Sequence, residues 1–172
     1  MTQRSIILLA LMTLLTTSCS VVSQQIRSEA EPRIPFETLV READRNQGRT
    51  VILGGYILET QNRDQTTEIK VLQAPLRFND EPDSRDYSEG RFIIAHNGFL
   101  DPEIYKKDRK ITVAGTVSGS SIEKVGNRQL EYLRIQDREI HLWPEYEHRY
   151  PYYDPYWYYP YYWYYPPWFF YW

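Results

Sequence analysis

Cysteine and histidine are scarce in this chain of 172 residues, which narrows the chemistry it could perform. Cys19 is the only cysteine, so no intramolecular disulfide can form. The only histidines, His96, His141 and His148, do not have the i, i+4 spacing of a metal site. No serine stands in a G-x-S-x-G nucleophile elbow. We therefore predict no catalytic residue, no metal site and no cofactor, and a protein that is not an enzyme.

Clusters of basic residues are also lacking. The chain has 20 Lys and Arg against 23 Asp and Glu, a formal net charge of −3. Nucleic-acid binding needs clustered cations that displace counterions from phosphates, so we predict no nucleic-acid partner. The acidic run over residues 80–89 lacks the spacing and the glycine of a calcium-binding loop. We predict that this run is a solvated surface loop.

A hydrophobic run long enough to span a bilayer is absent. The apolar run at the amino terminus covers residues 6–15, follows Arg4 and precedes the small residues 16–18. This layout is typical of a secretory signal peptide, here residues 1–18, and is too short for a transmembrane helix. The alternative, the core of a buried helix, is disfavoured by the small residues and the lone cysteine that follow.

Cys19 directly follows the predicted signal peptide. Leu15-Thr16-Thr17-Ser18-Cys19 resembles the bacterial lipobox, with Thr16 where leucine is usual, and implies acylation of Cys19. Two or more acyl chains anchor a protein stably, so outer-membrane lipid is the expected partner. Ser20, in place of aspartate, resembles the pattern that sorts lipoproteins to the outer membrane. A plain secretory peptide with a chance cysteine is the alternative.

The mature chain divides into three parts. Residues 19–35 are polar, aperiodic and end in prolines, which predicts a flexible lipidated tether. Residues 36–146 form the folded domain. It opens with one amphipathic helix, because Phe36, Leu39, Val40 and Ala43 fall at helical spacing and Gly48 follows as a stop. Residues 147–172 form an aromatic and proline-rich tail.

From Thr50 onward the hydrophobic period changes to two. Five or six strands follow, with a bend or bulge expected at Gly54-Gly55. The last two strand segments are predicted at QLEYLRI (129–135) and EIHLW (139–143). Asp101-Pro102 predicts a short internal helix over about 102–107, between the third and fourth strands. We predict a mainly β fold, a small OB-like β-barrel with one N-terminal and one short internal helix, with an open meander as the alternative.

The stretch GRFIIAHNGFLDPEIYKKDRKITVAGTVSG (90–119) carries an ordered set of motifs, which Gly54-Gly55, residues 69–72 and Trp143 accompany. Together these stretches resemble the Slp family of outer-membrane lipoproteins, the starvation-inducible type, and residues 90–119 are the strongest part. The resemblance covers roughly 36–146 and the signal. It implies an outer-membrane lipoprotein associated with stress or stationary phase, and no catalytic residues. From the residues themselves, we expect Phe99 and Leu100 to plug the barrel end, and Arg91 to pair with a carboxylate such as Asp101.

The tail concentrates the aromatic residues of the chain. Residues 150–172 hold 17 of the 27 aromatics together with five prolines, and these prolines exclude a helix. Tyrosine and tryptophan prefer the membrane–water interface, so we predict membrane-interface contact, or stacking on a ligand, by four tail residues: Trp157, Trp163, Trp168 and Trp172. The alternatives are stacking on envelope saccharides, self-association or docking on a partner, and folding back over the barrel.

The sequence therefore predicts a non-enzymatic structural or binding module of the envelope, anchored in the outer membrane and facing the periplasm. The alternative is a binding protein whose barrel groove captures a cell-wall oligosaccharide or a small envelope ligand.

Overall fold

The computed structural model describes residues 21–30 and 34–145. The predictions for the signal peptide, for Cys19 and for residues 147–172 lie outside this part of the chain. Within the described part, no helix is long and apolar enough to cross a membrane.

Five strands close into one barrel. They are β1 (Thr50–Asn62), β2 (Thr66–Gln73), β3 (Arg91–Asn97), β4 (Lys110–Val125) and β5 (Arg128–Leu142). The order around the barrel is β1-β2-β3-β5-β4, and β4 returns to pair with β1. All pairs are antiparallel except β3 with β5. This is the five-stranded arrangement of an OB-type barrel, so the predicted fold is confirmed and the open meander is wrong.

Strand β1 closes the barrel because it pairs on both sides. Its first half pairs with β4, its second half pairs with β2, and the two ladders overlap at Gly55 and Tyr56. A Cβ atom on Gly55 would lie 1.9 Å from the carbonyl oxygen of Leu72, so a side chain there would force the strands apart. The register shifts between Ile57 and Glu59, a bulge that bends the strand further. The bulge lies just beyond the predicted Gly54-Gly55 position, and glycine is required at Gly55 for close backbone approach.

The barrel interior is filled by alternating residues of every strand. Those with essentially no exposed surface include Ile57, Ile69, Val71, Phe92, Ile94, Ile111 and Leu133. Helix α2 (Phe36–Arg41) covers this core with Phe36 and Leu39, and the ring centroids of Phe36 and Phe92 are 6.2 Å apart. The predicted amphipathic helix is therefore confirmed, although it ends at Arg41 and the buried Ala43 lies in the turns that follow.

The predicted flexible tether is wrong for residues 21–30. Helix α1 (Gln24–Glu29) forms there, with the hydroxyl of Ser23 accepting a hydrogen bond from the amide of Ile26. Val22 and Ile26 are 3% and 6% exposed because they pack on Ala114 of β4. The sequence pattern was missed because the helix is only six residues long and buries a single side chain, Ile26, with Val22 just before it, so no helical period is visible.

The predicted internal helix over 102–107 is also wrong. The amides of Ile104 and Tyr105 both donate to the carbonyl of Asp101, which makes a single turn and no helix. The Asp101 side chain caps that turn through the amide of Glu103 at 2.9 Å. This turn ends at Tyr105, and Asp108, with a φ of 71°, lies in a second turn that leads into β4. The last strand segments, read separately from the sequence, form the single strand β5.

Gly55→Ala is expected to destabilise the barrel by about 3 kcal/mol, because the added methyl overlaps the backbone of β2. Urea unfolding followed by tryptophan fluorescence measures the change. Gly126→Ala is the matched control, since Gly126 has φ 60° and no atom near the added Cβ. This substitution should lower the free energy of unfolding by about 1 kcal/mol, because alanine disfavours a positive φ. Equal losses in the two variants would contradict the close-approach explanation.

Candidate functional site

A groove lies on the outer surface where the β4–β5 hairpin extends beyond the barrel. The hairpin tip leans over β2 and β3 and encloses a cleft of about 490 Å³. In OB-type barrels this face, with the loop between the fourth and fifth strands, is where ligands bind. The lining includes Glu59, Lys70, Arg91, Glu123, Lys124 and Tyr132. We call this cleft the groove.

Lys70 joins the hairpin tip to the floor of the groove. Its Nζ atom lies 3.3 Å from a carboxylate oxygen of Glu59 and 3.3 Å from one of Glu123. Burial lowers the pKa of Lys70, but the hydrogen bonds to these two carboxylates outweigh burial and raise the pKa overall. Lys70 therefore stays protonated and holds the hairpin over the sheet.

A second charged group lies further along the same face. The guanidinium groups of Arg134 and Arg63 bind the carboxylate of Glu68 at 2.6 and 3.1 Å. The hydrogen bond from Arg134 is the main reason that the pKa of Glu68 is lowered. Glu68 lies beside Arg134 because β2 and β5 both flank β3. These ion pairs give the face around the groove a charged surface.

Arg91 does not pair with Asp101, and that prediction is wrong. Its Nη1 atom donates to the hydroxyl of Tyr132 at 3.0 Å, and its guanidinium lies 6.0 Å from the Tyr132 ring centroid. Arg91 stands opposite Tyr132 in the β3–β5 register, whereas Asp101 follows the other end of β3. Tyr132 is only 2% exposed. The groove therefore offers charges and hydrogen bonds, with no exposed ring of Tyr132 for stacking.

The opposite side of the barrel carries α1. There the amide of Ser23 donates to the carboxylate of Glu139 at 2.9 Å, Glu29 pairs with Arg138, and Arg27 pairs with Asp80. The loop 76–82 lies beside α1 because its Asp80 pairs with Arg27. Leu76 and Pro82 form a β-bridge, and their side chains lie next to Gly54 of β1. We call this surface the covered wall: the outer face of β1, β4 and the end of β5, with α1 and the loop 76–82 packed on it.

The acidic run is not wholly solvated, which corrects the prediction. Asp80 and Glu81 are 5% and 6% exposed. Glu81 binds Lys110 Nζ at 2.6 Å, and the carbonyl of Asp80 accepts from Thr112 Oγ1 at 2.7 Å. The hydrogen bond from Lys110 lowers the pKa of Glu81. Sequence reasoning missed this because the partners of both carboxylates come from α1 and β4, far away in the chain.

The described part of the chain ends at Glu145, beside the covered wall. The indole nitrogen of Trp143 donates to Thr112 Oγ1 at 2.9 Å. Its backbone carbonyl accepts from Arg109 at 2.6 Å, and Glu145 pairs with Lys106 at 2.9 Å. The buried Trp143 therefore holds the last described residues, which precede the predicted tail, on the barrel.

The other predicted residues have mixed outcomes. Phe99 is 72% exposed and does not plug the barrel end, whereas Leu100 packs against the core.

The described histidines have partners within the fold. His96 binds Asp137 at 2.7 Å, and the ring of His141 contacts the ring of Trp143 edge-on. Within residues 21–30 and 34–145, no three His, Cys, Asp or Glu side chains are grouped as metal ligands. Cys19 and the four tail tryptophans, Trp157, Trp163, Trp168 and Trp172, lie outside the described residues.

The described chain is thus an OB-type barrel whose amino-terminal segment is packed on its own wall. The model of the family described as "Outer membrane lipoprotein Slp family" matches residues 16–169. The chain belongs to this family of outer-membrane lipoproteins, and the predicted resemblance is confirmed.

Three relatives are similar in sequence. An uncharacterized protein of Haemophilus influenzae is 35% identical over 96 residues, 55% of this chain, and the match spans about half (52%) of that relative. The uncharacterized lipoprotein YeaY of Escherichia coli is 27% identical over 76% of this chain and 67% of its own. The outer membrane protein Slp of E. coli is 26% identical over 75% of this chain and 69% of its own.

Solved structures overlay only loosely. A small single-stranded DNA-binding protein from Streptomyces coelicolor has 8% identity and a TM-score of 0.36, covering 55% of this chain and 94% of its own. An OBody bound to hen egg-white lysozyme has 14% identity and a TM-score of 0.40, covering 67% and 98%. At these scores the overlays support no inference about a ligand.

Glu81→Gln is expected to lower the free energy of unfolding at pH 7 by about 1 to 3 kcal/mol, since it removes a charge-assisted hydrogen bond from a buried site. Because folding lowers the pKa of Glu81, its contribution is complete above about pH 5 and is lost as the pH falls through the folded-state value. The difference in free energy of unfolding between wild type and variant should therefore become smaller at acid pH.

Urea unfolding at several pH values measures this difference. Glu103→Gln, on an exposed turn residue, is the control and should leave stability nearly unchanged. A wild-type-to-variant difference that stayed constant from neutral to acid pH would contradict the ion pair with Lys110.

Proposed function

We propose that this lipoprotein is a non-catalytic module held directly on the outer membrane by acylated Cys19, with its barrel in the periplasm. We also propose, from the family resemblance, that it acts in stress or stationary phase. The observation that carries the anchoring proposal is the position of α1. Only Ser20 separates Cys19 from Val21, where contact with the barrel begins.

The short connection limits how far the barrel can lie from its lipid. Two residue steps reach at most about 7 Å from Cys19 to Val21. The next residue, Val22, is buried against the barrel, and the Ser23 amide is bonded to Glu139. An acyl anchor on Cys19 therefore acts on the folded barrel itself, which suits a structural module that works at the membrane surface.

The tail supplies a second membrane contact in this proposal. Tyrosine and tryptophan side chains favour the headgroup region, where their rings and polar groups are both accommodated. The chain enters the tail from Glu145, which is held on the barrel by Lys106. Trp157, Trp163, Trp168 and Trp172 are the proposed interface residues.

The direct test is Cys19→Ala, expressed in a Gram-negative host and compared with wild type by intact mass and membrane fractionation. Wild type should carry the mass of the acyl chains and sediment with the outer membrane, because the acyl chains bury many methylene groups. The variant should lack that mass and lose most of its outer-membrane fraction. A variant that stayed equally bound would show that Cys19 is not the anchor.

Protease treatment of cells tests the orientation. The barrel should be cleaved only after the outer membrane has been permeabilised, with a known periplasmic protein as the control. Cleavage in intact cells would contradict the periplasmic orientation.

A second function is favoured by the groove. Its charges and its cleft of about 490 Å³ fit a polar envelope ligand such as a cell-wall oligosaccharide, bound through hydrogen bonds. In this reading Lys124, exposed on the hairpin tip, contacts the ligand. Affinity for the ligand would survive deletion of residues 150–172.

Lys124→Gln is expected to weaken binding of soluble peptidoglycan fragments about fivefold, the effect of about 1 kcal/mol in hydrogen bonding. Isothermal titration calorimetry measures the affinity. Lys107→Gln, an exposed lysine outside the groove, is the matched control and should bind like wild type. Absence of binding by wild type, or equal loss in both variants, would contradict the binding function.

A further inference from the structure

Three features of the chain lie on the covered wall. The first is α1, whose amino-terminal end leads back to Cys19. The second is the loop 76–82, which carries Phe78 two residues before Asp80. The third is Trp143, beyond which the chain leads to the aromatic tail. Each of these features arises from a different part of the sequence.

Outward-facing residues of β4 hold all three features in place. Lys110 binds Glu81 of the loop, and Thr112 binds both the Asp80 carbonyl and Trp143. Ala114 packs against Val22 and Ile26 of α1. Alternate residues of a strand are about 7 Å apart, so these attachment points span only about 14 Å along one face.

Phe78 is the most exposed large apolar side chain in the described part of the chain, at 96%. The loop that carries it is fixed on both sides: Arg77 binds Asp83 at 2.7 Å, and Asp80 pairs with Arg27 of α1. An aromatic ring held outward on an ordered loop beside a lipid anchor matches the chemistry of the membrane–water interface.

The groove opens at the other end of β4. It is lined by residues of β2 and β3 and by the far ends of β1 and β4, at Glu59 and Glu123. The covered wall meets β4 between Lys110 and Ala114, and the strand from Ala114 to Glu123 extends over about 30 Å. A surface that contacts the covered wall therefore leaves the groove accessible.

We propose that the covered wall lies against the bilayer that holds Cys19, with Phe78 in the headgroup layer and the groove open to the periplasm. This inference rests on the proposed acyl anchor. At most about 7 Å of chain between Cys19 and Val21 brings the wall into contact with headgroups. The surface of α1 that faces away from the barrel is polar, with Gln24, Gln25 and Ser28, and suits headgroup contact rather than deep insertion.

The test uses the full acylated chain in vesicles of phosphatidylethanolamine and phosphatidylglycerol. Acylation consumes the thiol of Cys19, so a single introduced cysteine is the only thiol for an environment-sensitive fluorophore. Phe78→Cys reports on the covered wall. Ile122→Cys is the matched control, since Ile122 is 70% exposed on the β4–β5 hairpin. Both residues are exposed, so neither substitution removes core packing.

The label at position 78 should shift its emission to the blue and show several-fold less quenching by aqueous iodide than the label at position 122. In a Cys19→Ala background, without the anchor, the two labels should be quenched alike. Protection at 122 with quenching at 78 would overturn the orientation, and so would equal quenching at both positions of the acylated protein.

A measurement of intact mass distinguishes a failure of the proposed acyl anchor from a failure of the proposed orientation. A protein without acyl mass, with a second fluorophore on Cys19, would overturn the proposed anchor and the orientation together. A fully acylated protein that fails the quenching test would overturn the orientation alone.

Discussion

The packing of Val22 and Ile26 on the outer face of β1 and β4 determines how this barrel relates to its amino terminus. These two side chains bury apolar surface against Ala114 and Ile52, and three polar contacts fix the helix around them. Burial of two aliphatic side chains contributes about 3 to 5 kcal/mol, enough to hold a six-residue helix that would not persist alone. Cys19, the proposed site of the lipid anchor, is therefore two residues away from a segment that is packed on the folded domain.

The same face of β4 organises the loop that follows β2. Glu81 and Asp80 meet Lys110 and Thr112, while Trp143 donates to Thr112. Each of these groups is largely removed from water, and leaving one unpaired would cost more than the pair gains. The N-terminal helix, the acidic loop and Trp143 thus depend on one strand. The groove depends on a different set of charges, centred on Lys70, so the two faces of the barrel can serve separate roles.

Much of the barrel was predictable from sequence because its signals are local. The alternation of Thr67, Ile69 and Val71 against charged residues predicts β2, and Gly54-Gly55 predicts the bend that closes the barrel. The covered wall was not predictable. From the sequence, Asp80 and Glu81 are expected to be solvated carboxylates, and only the fold brings their partners Arg27 and Lys110 beside them. Likewise Asp101-Pro102 begins a helical turn correctly, but nothing local shows that the turn ends at Tyr105. The family could be inferred from the ordered motifs of residues 90–119, whereas the groove requires the β4–β5 hairpin in three dimensions.

Amide hydrogen exchange of residues 21–30 in the full-length protein tests the central claim most directly. The amides of Arg27 and Ala30 donate to the carbonyls of Ser23 and Ile26, and that of Ser23 donates to Glu139. These three amides should exchange at least about 100-fold more slowly than in an unstructured peptide, because opening α1 exposes Val22 and Ile26. Exchange at the unstructured rate would show that the segment is a free tether, and would contradict both the packing of α1 on the barrel and the orientation derived from it.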